Sequence, residues 1–378
     1  MKKVLITGGA GFIGSHLSIA LTKLKYDVVV LDNLSSQVHG ADPELTSPLF
    51  KYVLENGISV VKGDICDRDL LLKVISGVEV IVHLAAETGT GQSMYEIEKY
   101  SKVNIQGTAA ILDILANHPN DVKKIVVASS RSIYGEGKYF SANNGVVYPE
   151  HRKIDDLTNG KFEVSYNGSW DLELRPTDEQ SKIHPSSVYG ITKQVQEQLI
   201  MTVSPTIGVK PVALRYQNVY GPGQSLSNPY TGILSIFSSR ILSGKSINIF
   251  EDGKESRDFV YIDDVVQATI LAIQNDDISS QSFNVGTGVQ TTVLEVAEQL
   301  MLAYDKTVDL QITGNFRLGD IRHNFADLNK IKITLGFEPR FNFNDGIKLF
   351  ADWVISQKVA DDQYENSLAE MRSKGLLK

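Results

Sequence analysis

In the segment SSVYGITKQ, from Ser186 to Gln194, the phenol Tyr189 stands four residues ahead of the ammonium Lys193. On a helix, residues four apart share a face, so the cation can stabilise a phenolate and make the tyrosine a usable acid and base near neutral pH. An unaided tyrosine titrates near pKa ~10 and would stay protonated. The pattern Y-x-x-x-K also arises by chance, so the elements around it must decide whether it is a site.

The clearest of these elements lies at the beginning of the chain. KKVLITGG is a compact apolar run ending in glycines, FIGSHLSIALTKLK is helical in pattern, and DVVVLD is a second apolar run. This reads as strand, tight turn, helix, strand. Gly8, Gly11 and Gly14 fit G-x-x-G-x-x-G, and Gly9, Gly11 and Gly14 fit G-x-G-x-x-G. Such glycines let a pyrophosphate approach the amides of a helix start, where a Cβ would obstruct it. Asp32 ends the second strand, where a carboxylate binds ribose hydroxyls and repels a 2′-phosphate, favouring NAD over NADP.

The alternation continues through ISVVKGDI, VEVIVHLAA and KKIVVASS, separated by helical stretches such as YEIEKYSKVNIQGTAAILDILANH. Near-continuous apolar strands alternating with helices predict an α/β fold with a doubly wound parallel sheet covered on both faces. Ligands of such sheets lie beyond the carboxyl ends of strands, where Asp64, Ala85, Ala86 and Ser130 fall. The 378 residues, 42% of them hydrophobic, suffice for one large domain and a smaller one. A net charge of −8 with dispersed lysines and arginines offers no face for nucleic acid. The single cysteine, Cys66, excludes an internal disulfide and suits a reducing, cytoplasmic setting. No signal peptide or membrane span is expected. No histidine has a metal-site spacing to another histidine or to the cysteine, and His83 reads as a core residue within an apolar strand.

TGGAGFIG, GDI, HLAA, Y-x-x-x-K and LRYQNVYGPGQ occur in this order, and together they resemble the extended short-chain dehydrogenase/reductases, specifically the nucleotide-sugar epimerases. The resemblance covers nearly the whole chain. It implies a Rossmann-type NAD domain over residues 1–215, with an insertion at about 136–180. It implies a smaller α/β nucleotide-sugar lobe over 216–378, from which some segments return to the first domain. By residue, it makes Tyr189 the acid/base. Lys193 becomes the residue that holds the nicotinamide ribose and lowers the tyrosine pKa, and Ser130 the hydrogen-bond partner of the reacting oxygen. The cofactor pocket it implies comprises Gly8, Gly11, Phe12, Ile13, Gly14, Asp32, Asn33, Ser35, Ser36, Asp64, Ile65, Leu84, Ala85, Ala86, Asn104, Tyr189, Lys193 and Tyr216. In the plain reading, Asp64 and Asn104 cap or turn the backbone, and Cys66 is a small buried hydrophobe.

For substrate the same matching points to Glu87, Thr88, Ser130, Arg131, Asn218, Asn228, Arg257 and Arg317. A guanidinium fork suits a diphosphate, although surface ion pairing is the plain alternative for Arg257 and Arg317. Arg322 and His323 carry no assignment. The family's 4,6-dehydratases place an Asp-Glu pair after the catalytic Ser/Thr, whereas ASSRSIYGEG has Arg131 and Ser132 there. What remains is C4 epimerisation of a nucleotide-diphosphate sugar with bound NAD. The insertion reads as an ordered flap. With AAETGTGQSMYEI and NPYTGILSIFSSRIL, it is similar to a branch of the family that converts dTDP-L-rhamnose to dTDP-6-deoxy-L-talose. UDP-glucose/galactose or N-acetyl sugars, an NAD(P)H-dependent 4-ketosugar reductase and an NAD-responsive binding protein are the competing readings. The resemblance also implies a homodimer through a four-helix bundle.

Overall fold

The computed structural model describes residues 2–226, 228, 232–357 and 364–378. Its centre is a seven-stranded parallel sheet. Across it the strands run Gln281–Val285, Lys210–Tyr216, Lys124–Ser130, Val80–His83, Lys3–Thr7, Asp27–Asp32 and Ser59–Lys62. From Lys3–Thr7 the chain first winds outward to Ser59–Lys62, then crosses back to build the other side. The strand order therefore reverses between Lys3–Thr7 and Val80–His83, which opens a crevice beyond their carboxyl ends.

Side-chain alternation along these strands divides the core into two layers. Val4, Ile6, Val80, Val82, Val126, Val212 and Phe283 face one cluster, which includes Leu17 and Leu21 of helix Phe12–Lys23 and Val265 and Ala272 of helix Ile262–Gln274. Leu5, Ile81, Ile125, Val127 and Ala213 face the other, with Leu71, Ile111 and Ile200 from helices Arg68–Ile75, Gly107–Asn117 and Val188–Val203. Each valine, leucine, isoleucine or phenylalanine among them contributes roughly 1.5–3 kcal/mol by leaving water. This holds the strand ends, and the loops that follow them, in fixed relation. The expected doubly wound parallel sheet is the fold observed. Among the described residues, no helix is long and apolar enough to cross a membrane.

The segment inserted at about 136–180 folds as a small antiparallel sheet, Lys138–Ser141 between Gly145–Val147 and Glu173–Arg175. Tyr139, Val147 and Val164 give it an apolar cluster of its own. The second half adds short parallel pairs, Asn218–Tyr220 with Phe259–Tyr261 and Ile247–Ile249 with Leu310–Ile312. It also supplies one edge strand of the main sheet, Gln281–Val285.

Candidate active site

One cavity of about 680 Å³ follows the crevice and collects most of the residues singled out from the sequence. Gly8, Gly11, Phe12, Ile13 and Gly14 line one end, with Asp32, Asn33, Ser35 and Ile65. Leu84, Ala85, Ala86, Glu87 and Thr88 follow, and Ser130, Arg131, Tyr189, Lys193, Tyr216, Asn218 and Asn228 line the remainder. Ser36, Asp64, Asn104, Arg257 and Arg317 are not among its lining residues. Residues 229–231 of the NPYTG motif lie outside the described residues.

The glycine turn is built so that only backbone fits. Gly8 adopts φ +70°, and a Cβ there would stand 2.8 Å from the Ala85 amide nitrogen. A Cβ on Gly14 would meet the Gly8 carbonyl at 2.3 Å and Gly9 Cα at 2.5 Å. The helix cap, Gly11, offers the first-turn amides no side-chain acceptor. Those amides and the positive end of the helix therefore suit an anionic pyrophosphate. Asp32 supports the same turn: its carboxylate accepts from the Ala10 amide at 3.0 Å and the Leu34 amide at 2.9 Å. A carboxylate has about four acceptor sites, so capacity remains for ribose hydroxyls. His39, which sequence reasoning missed, lies 3.8 Å from Asp32 and is fixed by Ser47 at 2.8 Å. These features fit a dinucleotide.

Gly14→Ala forces a methyl against backbone that cannot rotate away, a cost of about 1–3 kcal/mol. Dinucleotide affinity in a calorimetric titration is expected to fall at least tenfold. Unchanged affinity would mean that the turn does not contact the ligand.

At the other end, helix Val188–Val203 presents Tyr189 and Lys193 to the cavity. Ser187 caps it through the Gly190 amide at 3.2 Å, and the Tyr189 amide donates to Ser93 at 3.0 Å. Gly190 permits a close approach, because a Cβ there would lie 2.7 Å from the Ser132 carbonyl. Ser130 Oγ accepts from the Ser132 amide at 3.2 Å and from its hydroxyl at 2.9 Å, which leaves the Ser130 proton free to donate.

Burial pushes the Tyr189 phenol upward, while a hydrogen bond from Ser130 and the charge of Arg131 pull it down. Arg131 is itself pulled down to about 9 by burial and the neighbouring Arg257, so it remains protonated at neutral pH. Its Nε donates to Asn218 Oδ1 at 2.6 Å. Arg131 is thus a cation that acts on Tyr189 alongside the hydrogen bond from Ser130. Lys193 is pulled down to about 7 by burial. Its Nζ donates to Gln196 Oε1 at 2.9 Å, and Gln196 Nε2 reaches Thr108 Oγ1 at 3.0 Å and His83 Nε2 at 3.2 Å. Burial, then the Lys193 charge, hold His83 down to about 3, so the ring is neutral. His83 is a satisfied core residue, and it sits beneath the lysine.

Asn104 lies in a π-helical turn, Ser101–Gln106, and is fully buried. It bonds the Glu87 amide at 2.7 Å, the Glu87 carbonyl at 3.1 Å and Thr192 at 2.9 Å, so it fixes the wall from beneath. Asp64 accepts from the Cys66 amide at 2.8 Å, as a turn former does. Ser36 opens a short helix, Ser36–His39. Beside the cavity, Arg257 donates to the carbonyls of Ser256, Ile321 and Arg322 at 2.8, 2.7 and 2.9 Å. Arg317 pairs with Asp320 at 2.8 Å and lies over the Phe250 ring.

The glycine turn, the carboxylate after the second strand and the tyrosine-lysine helix now stand around one cavity, and the chain matches the NAD dependent epimerase/dehydratase family over residues 4–151 and 167–286. The chain belongs to that family. A dTDP-L-rhamnose 4-epimerase of Burkholderia thailandensis is 36% identical over 359 residues, 94% of this chain and 96% of the relative. The UDP-glucose 4-epimerase of Thermotoga maritima, solved with UDP-glucose, superposes with a TM-score of 0.74 at 31% identity, covering 94% of this chain and 99% of that one. A UDP-glucuronic acid 4-epimerase of Bacillus cereus, solved with UDP-glucuronic acid and NAD, gives 0.74 at 25% identity, with coverage of 94% and 99%. The family's match breaks at residues 152–166, within the inserted segment.

Proposed function

We propose that the protein is an NAD-dependent nucleotide-sugar 4-epimerase, and that its substrate is dTDP-L-rhamnose, converted to dTDP-6-deoxy-L-talose. The observation that carries the reaction is the meeting of Ser130, Tyr189 and Lys193 in the cavity of the glycine turn, with Arg131 rather than a carboxylate after Ser130. Among the described lining residues the carboxylates are Asp32, engaged with the turn, and Glu87, ion-paired to Lys99 at 3.3 Å. Dehydration needs a dedicated acid and base at the sugar. The Burkholderia relative supports the rhamnose assignment. The Thermotoga structure favours a UDP-glucose-type sugar as the second reading.

In this reading Tyr189 accepts the proton of the sugar's C4 hydroxyl, and Ser130 donates a hydrogen bond to the same oxygen. NAD, when bound, supplies the hydride acceptor and donor for C4. Arg131 steadies the phenolate, and Lys193 stands ready for ribose hydroxyls. The 4-keto sugar turns over within the cavity, and Tyr189 returns its proton to the oxygen on the opposite face. Exposed Ile97 and Ile191 lie on the two helical stretches that would pair two copies as a four-helix bundle.

Product analysis across dTDP-, UDP-, GDP- and CDP-sugars identifies the substrate. Deuterium placed at its C4 is expected to remain at C4 of the epimer, in ordinary water and without net NAD(P)H consumption. With unlabelled substrate in deuterium oxide, a solvent deuteron appearing at C5 would indicate dehydratase-type chemistry, and stoichiometric cofactor oxidation would indicate a reductase. Either result overturns the reading.

A further inference from the structure

The inserted segment and the second half meet through a cluster of ion pairs that the proposed chemistry does not use. Arg152, from the insertion, has a side chain only 3% exposed. It donates to Glu136 at 3.2 Å, Glu251 at 2.8 Å, and the carbonyls of Phe162 and Asp320 at 3.0 Å each. Arg322, from the second half, is fully buried. Its side chain reaches Glu163 of the insertion at 2.6 Å, Asp252 at 2.7 Å and Glu251 at 3.0 Å, with Glu255 at 3.8 Å. Its amide donates to Glu136 at 2.6 Å. His323 adds a contact to Glu163 at 3.3 Å.

These contacts converge on one loop, residues 317–323. Asp320 offers its carbonyl to Arg152 and its carboxylate to Arg317. Ile321 and Arg322 offer their carbonyls to Arg257. The Gly319 carbonyl accepts from Ser186, three residues before Tyr189, at 2.8 Å. The two arginines that the family resemblance assigns to the diphosphate, Arg257 and Arg317, are therefore held by contacts of a loop that the insertion also holds. Burying charged groups is costly unless each is paired, and a guanidinium bound on several edges has little freedom to move.

We infer that Glu136, Arg152 and Glu163 are positioning residues for the nucleotide-diphosphate site, acting through loop 317–323 on Arg257 and Arg317. The insertion is then a fixed buttress of the substrate lobe and does not open or close over the sugar. The inference rests on the proposed nucleotide-sugar reading.

Titration of the NAD-loaded protein with dTDP and with UDP tests it, beside turnover on the substrate found by the product screen. Glu163 is half exposed, so Glu163→Ala leaves a fold that water can heal, and Arg152→Lys keeps the charge but loses the fork. We expect nucleoside diphosphate binding to weaken about fivefold in Glu163→Ala and about tenfold in Arg152→Lys. KM should rise in step, with kcat and NAD content within twofold of wild type. Glu163→Gln, which keeps the acceptor Oε1, should restore most of the affinity. Arg257→Ala serves as the reference. If it weakens binding while both insertion variants bind normally and merely melt earlier, the insertion is structural only and the inference is refuted. If Arg257→Ala itself binds normally, the diphosphate site is misassigned and the inference falls with it.

Discussion

Replacing Tyr189 by phenylalanine is expected to lower turnover by about 10³-fold, with NAD content and Tm little changed. The substitution removes one oxygen. The helix that carries it stays capped by Ser187 and Ser93, both acting on backbone amides. Ser130 keeps its contacts with Ser132. The glycine turn and Asp32 stand at the other end of the cavity and do not depend on the phenol. Single-turnover rates and bound NAD, measured on the same preparation, separate lost chemistry from lost folding. Near-wild-type turnover would remove Tyr189 as the proton acceptor.

Arg131→Met is expected to have the second largest effect, and its signature is in the pH profile. Ser130 and Arg131 oppose the upward push of burial on Tyr189. Without the guanidinium, the phenolate forms at a higher pH. The rising limb of the kcat profile should then shift to alkaline pH, and each pH unit of displacement costs about tenfold in rate at neutral pH. We expect a loss of about 10- to 100-fold at pH 7, largely recovered on the alkaline side. A uniform loss at every pH would point to substrate binding through Asn218 and Arg131 instead.

The sheet and the glycine turn were legible because backbone-scale constraints leave local marks. The middle of a strand buried on both faces is apolar, as residues 125–128 are, and Gly14 must lack a Cβ because a carbonyl lies 2.3 Å from where it would be. The four-residue spacing put Tyr189 and Lys193 on one helix, Val188–Val203. Contacts that depend on chain return left no such trace. Glu136 meets the Arg322 amide across 186 residues, so neither the ion pairs of Arg322 nor the contacts between the insertion and the second half were readable in advance. Arg131 stood in the sequence as a substrate residue and a missing carboxylate, but its action on a tyrosine far along the chain has no sequence signature. The lysine's partner was likewise hidden: Gln196 follows it by three residues, but that the amide continues to His83 and Thr108 depends on how the helices pack.

The edge strand that the second half supplies has a consequence for how the protein is made. Gln281–Val285 pairs along Lys210–Tyr216, with Val285 opposite Tyr216. During synthesis the ribosome releases Lys210–Tyr216 long before this neighbour exists. For that interval the nascent chain carries an apolar strand with one row of unpaired amides and carbonyls, a template for joining another chain. The first six strands can assemble early, but the edge beside Tyr216 closes only when Gln281–Val285 arrives. A fragment ending near residue 215 would therefore collect as aggregates rather than as a small dinucleotide-binding domain.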